Sequence, residues 1–274
     1  MRENLPLDKR RVELLASFLI AIIQQNTSNL ARLANVLDLN AKKESKYRRL
    51  KRFLKEAKID YVVFATLIIA ILKPKGKYIL ALDRTEWKYG KVWVNILTLS
   101  IVFENTAIPI FWQTLNRKGN STLAEKQEIL NRYIKTFGVK NILYFCADRE
   151  FDGHEFVKYL DKNGVPFRLR LKVSMTITDK NGKLMKCGKL LRTLKIGESY
   201  KLRRARTYAG VRVSVEVERG RDSKESIIVI SSEKSDKILL EYKRRWTIET
   251  LFQNLKSRGF EMEEGASDGG NKNR

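Results

Sequence analysis

Tyr78-Ile79-Leu80-Ala81-Leu82-Asp83 decides the fold: an unbroken apolar and aromatic run that ends on a carboxylate. It follows Lys73-Pro74-Lys75-Gly76-Lys77, where a proline that cannot continue a helix is paired with a glycine, and this break marks a boundary. From here the periodicity is that of strands. Tyr78 to Leu82, Val92 to Phe103 and Thr106 to Leu115 are rich in Ile, Val, Leu and Phe and are separated by Tyr89-Gly90 and Glu104-Asn105, which predicts three strands joined by tight turns.

Further on, Ser121 to Phe137 has helical spacing, Asn141 to Ala147 is a short apolar strand, Gly153 to Lys162 is helical and Phe167 to Leu171 is another strand. Three antiparallel strands followed by helix, strand, helix, strand is the order of an α/β RNase H-like fold, a mixed sheet flanked by helices. Residues 173–232 break the rhythm with short alternating strands such as Val211 to Val217 and Ser226 to Ile230, and read as a β-rich insertion subdomain between Asp148 and Glu249, the latter on a last helix. That helix is expected from near Asp236 through Lys256. The division is therefore 1–75 helical, 76–172 first part of the catalytic domain, 173–232 insertion, 233–264 last helix and 265–274 tail.

In the helical region Leu14, Leu15, Phe18, Leu19, Ile22 and Ile23 recur at helical spacing up to Asn26-Thr27-Ser28, where Ser28 is expected to cap the next helix, with Leu30, Leu33, Ala34 and Leu37. A third helix turns Tyr47, Leu50, Phe53 and Leu54 inward and a basic set including Arg48, Arg49 and Arg52 outward. Lys42 to Lys58 holds nine basic and two acidic residues. Two short helices and a basic one resemble a helix-turn-helix module, and phosphate contact suits them better than base reading; a solvated basic face is the alternative. Tyr61 to Leu72, interrupted only by Thr66, is 12 residues long, short of the roughly 18 that span a bilayer; it reads as a buried helix.

Charge bounds the partner. In 274 residues, 55 Lys and Arg against 31 Asp and Glu give +24 and a pI near 10.0, with 43% hydrophobic residues. This is a packed protein with a polyanionic partner. Lys183 to Arg206 carries nine basic residues and one acidic one, so the insertion is expected to face nucleic acid, or else to be a solvated loop. The charged opening Met1-Arg2-Glu3-Asn4 has no apolar signal region, so a cytoplasmic, nucleoid-associated protein is expected. Cys146 and Cys187 lack zinc or redox spacing and are read as free thiols. His154 is the lone histidine, which leaves little room for a histidine-based triad.

Asp83 closes one apolar strand and Asp148 another, Ile142-Leu143-Tyr144-Phe145-Cys146-Ala147. A carboxylate there is costly unless paired or metal-bound. Arg84 and Arg149 are adjacent, but neighbouring strand residues point to opposite faces. Two carboxylates at neighbouring strand ends make a hard-oxygen site for Mg²⁺ or Mn²⁺. Glu86, Glu150 and Asp152 are spare carboxylates nearby, and Glu150 shares the strand parity of Asp148. Trp87, Trp93 and Trp112 are expected in the core.

The third ligand is offered by Glu241-Tyr242-Lys243-Arg244-Arg245-Trp246-Thr247-Ile248-Glu249. This stretch resembles the Tyr-x2-Arg-x3-Glu-x6-Lys signature of insertion-sequence DDE transposases, the broad family typified by insertion sequence four; Tyr242, Arg245, Glu249 and Lys256 fit it without a gap. Steps of 3, 4 and 7 keep all four near one helix face. Leu82-Asp83-Arg84-Thr85-Glu86-Trp87 and Ala147-Asp148-Arg149-Glu150-Phe151 resemble the family's two Asp motifs, and the likeness covers about residues 75–264. It implies two divalent ions, Asp83 bridging them and Asp148 and Glu249 each holding one, with Tyr242, Arg245 and Lys256 on phosphates beside the scissile bond. Trp246 follows Arg245 as in members that close the transposon end into a hairpin, where an indole receives a displaced base; packing on the helix is the alternative. The expected function is cut-and-paste transposition on double-stranded DNA, the inverted-repeat ends and a target, by a homodimer in the synaptic complex, with no membrane involved. A cutting-only RNase H-like nuclease and a DNA-binding remnant or repressor are the competing readings. Relatives are expected to continue past Glu264 into an apolar helix. Here Gly265 to Arg274 is polar, which implies an altered or truncated ending, a disordered tail and partly exposed Leu251, Phe252 and Leu255.

Overall fold

In a computed structural model, which describes residues 7–57, 60–89 and 92–262, the decisive apolar run forms the start of β1 (Tyr78–Tyr89). β1 pairs antiparallel with β2 (Val92–Phe103), and β2 with β3 (Thr106–Thr114). After α5 (Leu123–Phe137), β4 (Ile142–Ala147) pairs parallel with β1. After α6 (His154–Lys162), β5 (Phe167–Arg170) pairs parallel with β4. The order β3-β2-β1-β4-β5, three antiparallel strands and two parallel ones, is the RNase H-like arrangement expected from the sequence.

The stretch after β5 is β-rich, and it continues the sheet. β6 (Thr176–Thr178) and β7 (Leu184–Lys186) form a separate hairpin. Of β8 (Ser199–Lys201), β9 (Arg206–Tyr208), β10 (Val211–Glu218) and β11 (Ile227–Ser231), β11 pairs antiparallel with β5, β10 with β11, and both β8 and β9 with β10. Together they make a nine-stranded mixed sheet among the described residues.

Strand alternation gives this sheet two covered faces. Leu80, Leu82, Phe145 and Ala147 enter the main core with Ile129, Leu130 and Tyr133 of α5 and Phe156, Val157 and Leu160 of α6. Ile79, Tyr144, Cys146 and Val229 face the other way, onto Ile238, Leu239 and Tyr242 of α7 (Ile238–Lys243). Ala81 and Ala107 leave room on that face for Ile248 and Phe252 of α8 (Thr247–Gln253). A separate cluster joins α1 (Lys9–Gln25), α2 (Leu30–Val36) and α3 (Lys43–Glu56) through Leu14, Phe18, Leu33, Leu50 and Phe53, with Leu37 at the end of α2.

Several expectations change. Asp83 lies within β1, since the pairing with β2 runs on to Tyr89↔Val92 while the pairing with β4 ends at Leu82↔Ala147. Asn29 caps α2, taking the amides of Ala31 and Arg32 on its side chain. Leu54 is exposed, one step round from buried Phe53. The apolar helix α4 (Tyr61–Leu72) buries only Ala65 fully and leans on Trp112 through Tyr61 and Phe64, with Val62 and Ile71 exposed; an all-apolar run fixes no number of neighbours. Trp87 is buried, Trp112 half-buried and Trp93 exposed beneath the ammonium of Lys118. The last helix is a rod in four pieces, α7, a 3-10 turn at Arg244–Trp246, α8 and a π-helical turn at Asn254–Arg258. Phe252 is buried and Leu251 and Leu255 are half-buried. The tail 265–274 lies outside the described residues.

The rod is tied to the sheet by a part-buried ion pair. Arg168 of β5, 3% exposed, donates Nε to Glu241 of α7 at 2.6 Å and a terminal nitrogen to the Phe167 carbonyl at 3.0 Å. Glu241→Ala should cost about 2–3 kcal/mol in urea unfolding, below the 3–5 kcal/mol of fully buried pairs because the Glu241 side chain is 27% exposed. A loss under about 0.5 kcal/mol would show an ordinary surface pair.

Candidate active site

Asp83 and Asp148 each follow the last parallel rung between β1 and β4, Leu82↔Ala147. By parity both follow Cys146 and Ala81 onto the face covered by α7 and α8. Above them lies Arg245, 2% exposed, in the 3-10 turn between those helices. Its guanidinium donates to Asp83 Oδ2 at 2.8 Å, to Glu249 Oε1 at 2.6 Å and, through Nε, to the Tyr242 hydroxyl at 3.2 Å. The Tyr242 hydroxyl in turn donates a hydrogen bond to Asp148 Oδ1 at 3.0 Å, and Arg170 of β5 reaches the same oxygen at 3.4 Å. One network thus joins the three carboxylates singled out from the sequence and two signature residues.

The electrostatics follow from burial against those partners. Burial pushes the Asp83 carboxyl up to about 6 although Arg245 and the Arg84 amide, at 2.8 Å from Oδ1, pull it down. At Asp148 burial acts the same way but is outweighed by Arg245, the Arg149 amide, Arg170 and Tyr242, so this carboxyl is held below its ordinary value. Burial opposes the charge on Arg245, yet Tyr242, Asp83, Asp148 and Glu249 raise its pKa, and burial raises that of Tyr242. At Asp83 burial outweighs the charge that Arg245 brings.

Two aspartates and a glutamate supply the oxygen donors that hard divalent ions select, so these residues fit such ions chemically. Arg245 stands between Asp83 and Glu249, bonded to each, and among the described residues no three acidic, cysteine or histidine side chains are grouped closely enough to hold one ion. Lys256 donates Nζ to the Glu86 carbonyl at 2.7 Å and lies 5.8 Å from the Trp87 ring. Trp246 is 44% exposed, with the Lys243 ammonium 5.8 Å from its ring, so it does not pack in the core. Arg48, Arg49 and Arg52 are exposed on α3. Glu150 leaves strand parity in the 3-10 turn Arg149–Phe151 and pairs with Arg84 behind the sheet. Asp152 is buried on the Lys172 amide at 3.0 Å. Cys146 and Cys187 are buried free thiols, and His154 packs edge-on to Tyr208.

Arg168 and Arg170 escaped the sequence reading. Their signal is the alternation Phe167-Arg168-Leu169-Arg170-Leu171, which puts both guanidiniums on the face of Cys146, the one covered by α7.

Among the described residues no helix is long and apolar enough to cross a membrane. A comparison with curated proteins gave no match. Similar solved structures include endonuclease V from Ciona intestinalis in complex with a 24mer DNA containing an inosine followed by a ribo-adenosine, at 10% identity and TM-score 0.32 over 66% of this chain and 79% of that one. They also include endonuclease V from Bacillus subtilis, at 11% identity and TM-score 0.28 over 82% and 88%. Marinitoga piezophila Argonaute in complex with 5′ OH guide RNA and target DNA matches at 11% identity and TM-score 0.27, over 76% of this chain and 31% of that one. The family model described as the transposase DDE domain matches residues 74–274. With that model matched along well over half of its length, the chain belongs to the transposase DDE domain family, which implies a nucleic-acid-cleaving enzyme.

Proposed function

We propose that the chain is a DNA transposase that cleaves and joins strands at the ends of an insertion sequence, with Mg²⁺ or Mn²⁺ ions held by Asp83, Asp148 and Glu249. The observation that carries this reading is the convergence of these three carboxylates on Arg245 and Tyr242, two residues of the same signature. When bound, a pair of divalent ions activates the attacking oxygen and stabilises the leaving one at phosphorus.

The protein's own groups do the rest. For Asp83 and Glu249 to turn to ions, Arg245 gives up at least one carboxylate, and a released guanidinium is suited to forked contact with a phosphate. Tyr242 keeps Asp148 oriented through its hydroxyl. Trp246, exposed immediately after Arg245, offers a face on which a displaced base can stack during hairpin closure. Exposed Arg48, Arg49 and Arg52 on α3, and exposed Lys183, Lys186, Lys189, Arg192, Lys195, Arg203 and Arg204 in the β-rich segment, supply phosphate-binding charge on double-stranded ends and target. Two ends cut together require two copies of the chain.

Asp83→Asn, Asp148→Asn and Glu249→Gln should each reduce Mg²⁺-dependent cleavage of end-containing DNA to background while leaving binding in chelator intact or stronger; near-normal cleavage by one of them removes that residue from the site. Cleavage without strand transfer by the unaltered chain would mark a nuclease, and binding without cleavage a repressor. DNA affinity should fall with salt by about 0.9 log units per log salt for each duplex phosphate neutralised, and a flat profile in a titration would refute the role given to the +24 charge. Trp246→Ala should spare first-strand nicking and impair hairpin formation; equal loss of both steps on a gel would defeat the stacking role.

A further inference from the structure

The parallel ladder that brings the two aspartates together stops at Leu82↔Ala147, so no backbone rung fixes Asp148 against Asp83. Past Ala147 the chain leaves the sheet in a 3-10 turn, closed by the Phe151 amide on the Asp148 carbonyl at 2.8 Å. Behind the sheet, on the side away from α7 and α8, Arg84 and Glu150 from these same two segments meet. Arg84 Nε lies 3.0 and 3.4 Å from the two Glu150 oxygens, and a terminal nitrogen lies 3.3 Å from Oε2. The two side chains are 13% and 19% exposed.

Both ends of this forked pair are anchored. The other terminal nitrogen of Arg84 goes to Glu86 at 2.9 Å and to Asn95 of β2 at 3.2 Å, and its amide donates to Asp83 Oδ1. Glu150 Oε1 lies 3.4 Å from both the amide and the hydroxyl of Ser121, just before α5, while its carbonyl takes the ammonium of buried Lys126 at 3.3 Å. Neither partner faces Arg245.

We propose that Arg84 and Glu150 are positioning residues, a side-chain rung that replaces the missing ladder rung and sets the spacing of the Asp83 and Asp148 carboxylates for a divalent ion. The inference rests on the reading of those aspartates as ligands. Groups that orient ligands typically matter 10- to 100-fold in metal affinity. The effect depends on the ion: Mg²⁺ and Mn²⁺ hold their ligands in a compact octahedron, whereas Ca²⁺ accepts six to eight at flexible distances. Loosening the two aspartates penalises the smaller ions.

The test uses the full chain with Glu150→Gln, Arg84→Lys, the double variant, and Asp83→Asn as control. Free Mn²⁺ is measured by electron paramagnetic resonance, Ca²⁺ by calorimetry and the thermal midpoint in chelator. Each single variant should raise the Mn²⁺ dissociation constant about tenfold and that of Ca²⁺ by less than about threefold, with the midpoint shifted by only a few degrees. The double variant should be no worse than the weaker single, because one rung is broken only once. Wild-type Mn²⁺ affinity in Glu150→Gln, with binding lost in Asp83→Asn, overturns the proposal alone. So does a parallel loss of Mn²⁺ and Ca²⁺ binding that tracks a falling midpoint. Retained Mn²⁺ binding in Asp83→Asn overturns the ligand reading, and the positioning role with it.

Discussion

A guanidinium 2% exposed is the constraint around which this molecule is arranged. Burying Arg245 is unfavourable unless its charge and its N–H groups are met, and they are met by Asp83, Glu249 and the Tyr242 hydroxyl. Those partners come from β1 and from the turns of helix on either side of Arg245, so the rod must cross the sheet where the β1–β4 pairing ends. Small side chains allow that crossing: Ala81 and Ala107 let Ile248 and Phe252 approach. The Arg168–Glu241 pair then fixes the angle of α7 two strands away, one residue before Tyr242. Sheet packing, helix placement and carboxylate geometry are three views of the same contact.

What the sequence revealed depended on whether the signal was local. The unbroken apolar runs Tyr78 to Leu82 and Ile142 to Ala147 revealed both strands and the aspartates that follow the runs, because a short apolar run and the charge that ends it are properties of a few consecutive residues. The spacing of Tyr242, Arg245 and Glu249 survived even though the rod changes helix type, since a 3-10 turn at Arg244–Trp246 shifts the three by a fraction of a turn. The extent of β1 past Asp83 was hidden, because it depends on β2 continuing to pair where β4 does not. Trp93 and Trp87 looked alike in a strand pattern, yet their opposite parity puts one in solvent and the other under cover.

Arg245 shows where local reading ends. The signature and its resemblance gave it a phosphate, and the structure gives it two carboxylates. Sequence spacing predicts that Arg245 and Glu249 can meet, four residues apart on a helix; it says nothing of Asp83, 162 positions away. Glu150 is the converse case. Its parity with Asp148 held only as long as the strand did, and the turn at Arg149–Phe151 sent it to the opposite face.

The two assignments of Arg245 are compatible once charge is counted. Asp83, Asp148 and Glu249 bring three negative charges, and Arg245 and Arg170, which bond to them, bring two positive ones. The cluster is close to neutral, and burial pushes the Asp83 carboxyl up to about 6. On the two-ion reading, four further positive charges enter a partly buried space, and keeping both arginines there would leave a large excess that low local polarity makes costly. A phosphate entering with the ions offsets part of it, and its two non-bridging oxygens offer Arg245 a forked contact in place of the single bonds it now makes to Asp83 and to Glu249. The same side chain can therefore hold the acidic residues together without DNA and follow the phosphate when DNA arrives. On that reading ion binding and DNA binding would be coupled through one guanidinium, each offsetting charge that the other leaves uncompensated, so that the ions would bind most tightly where there is a strand to cut.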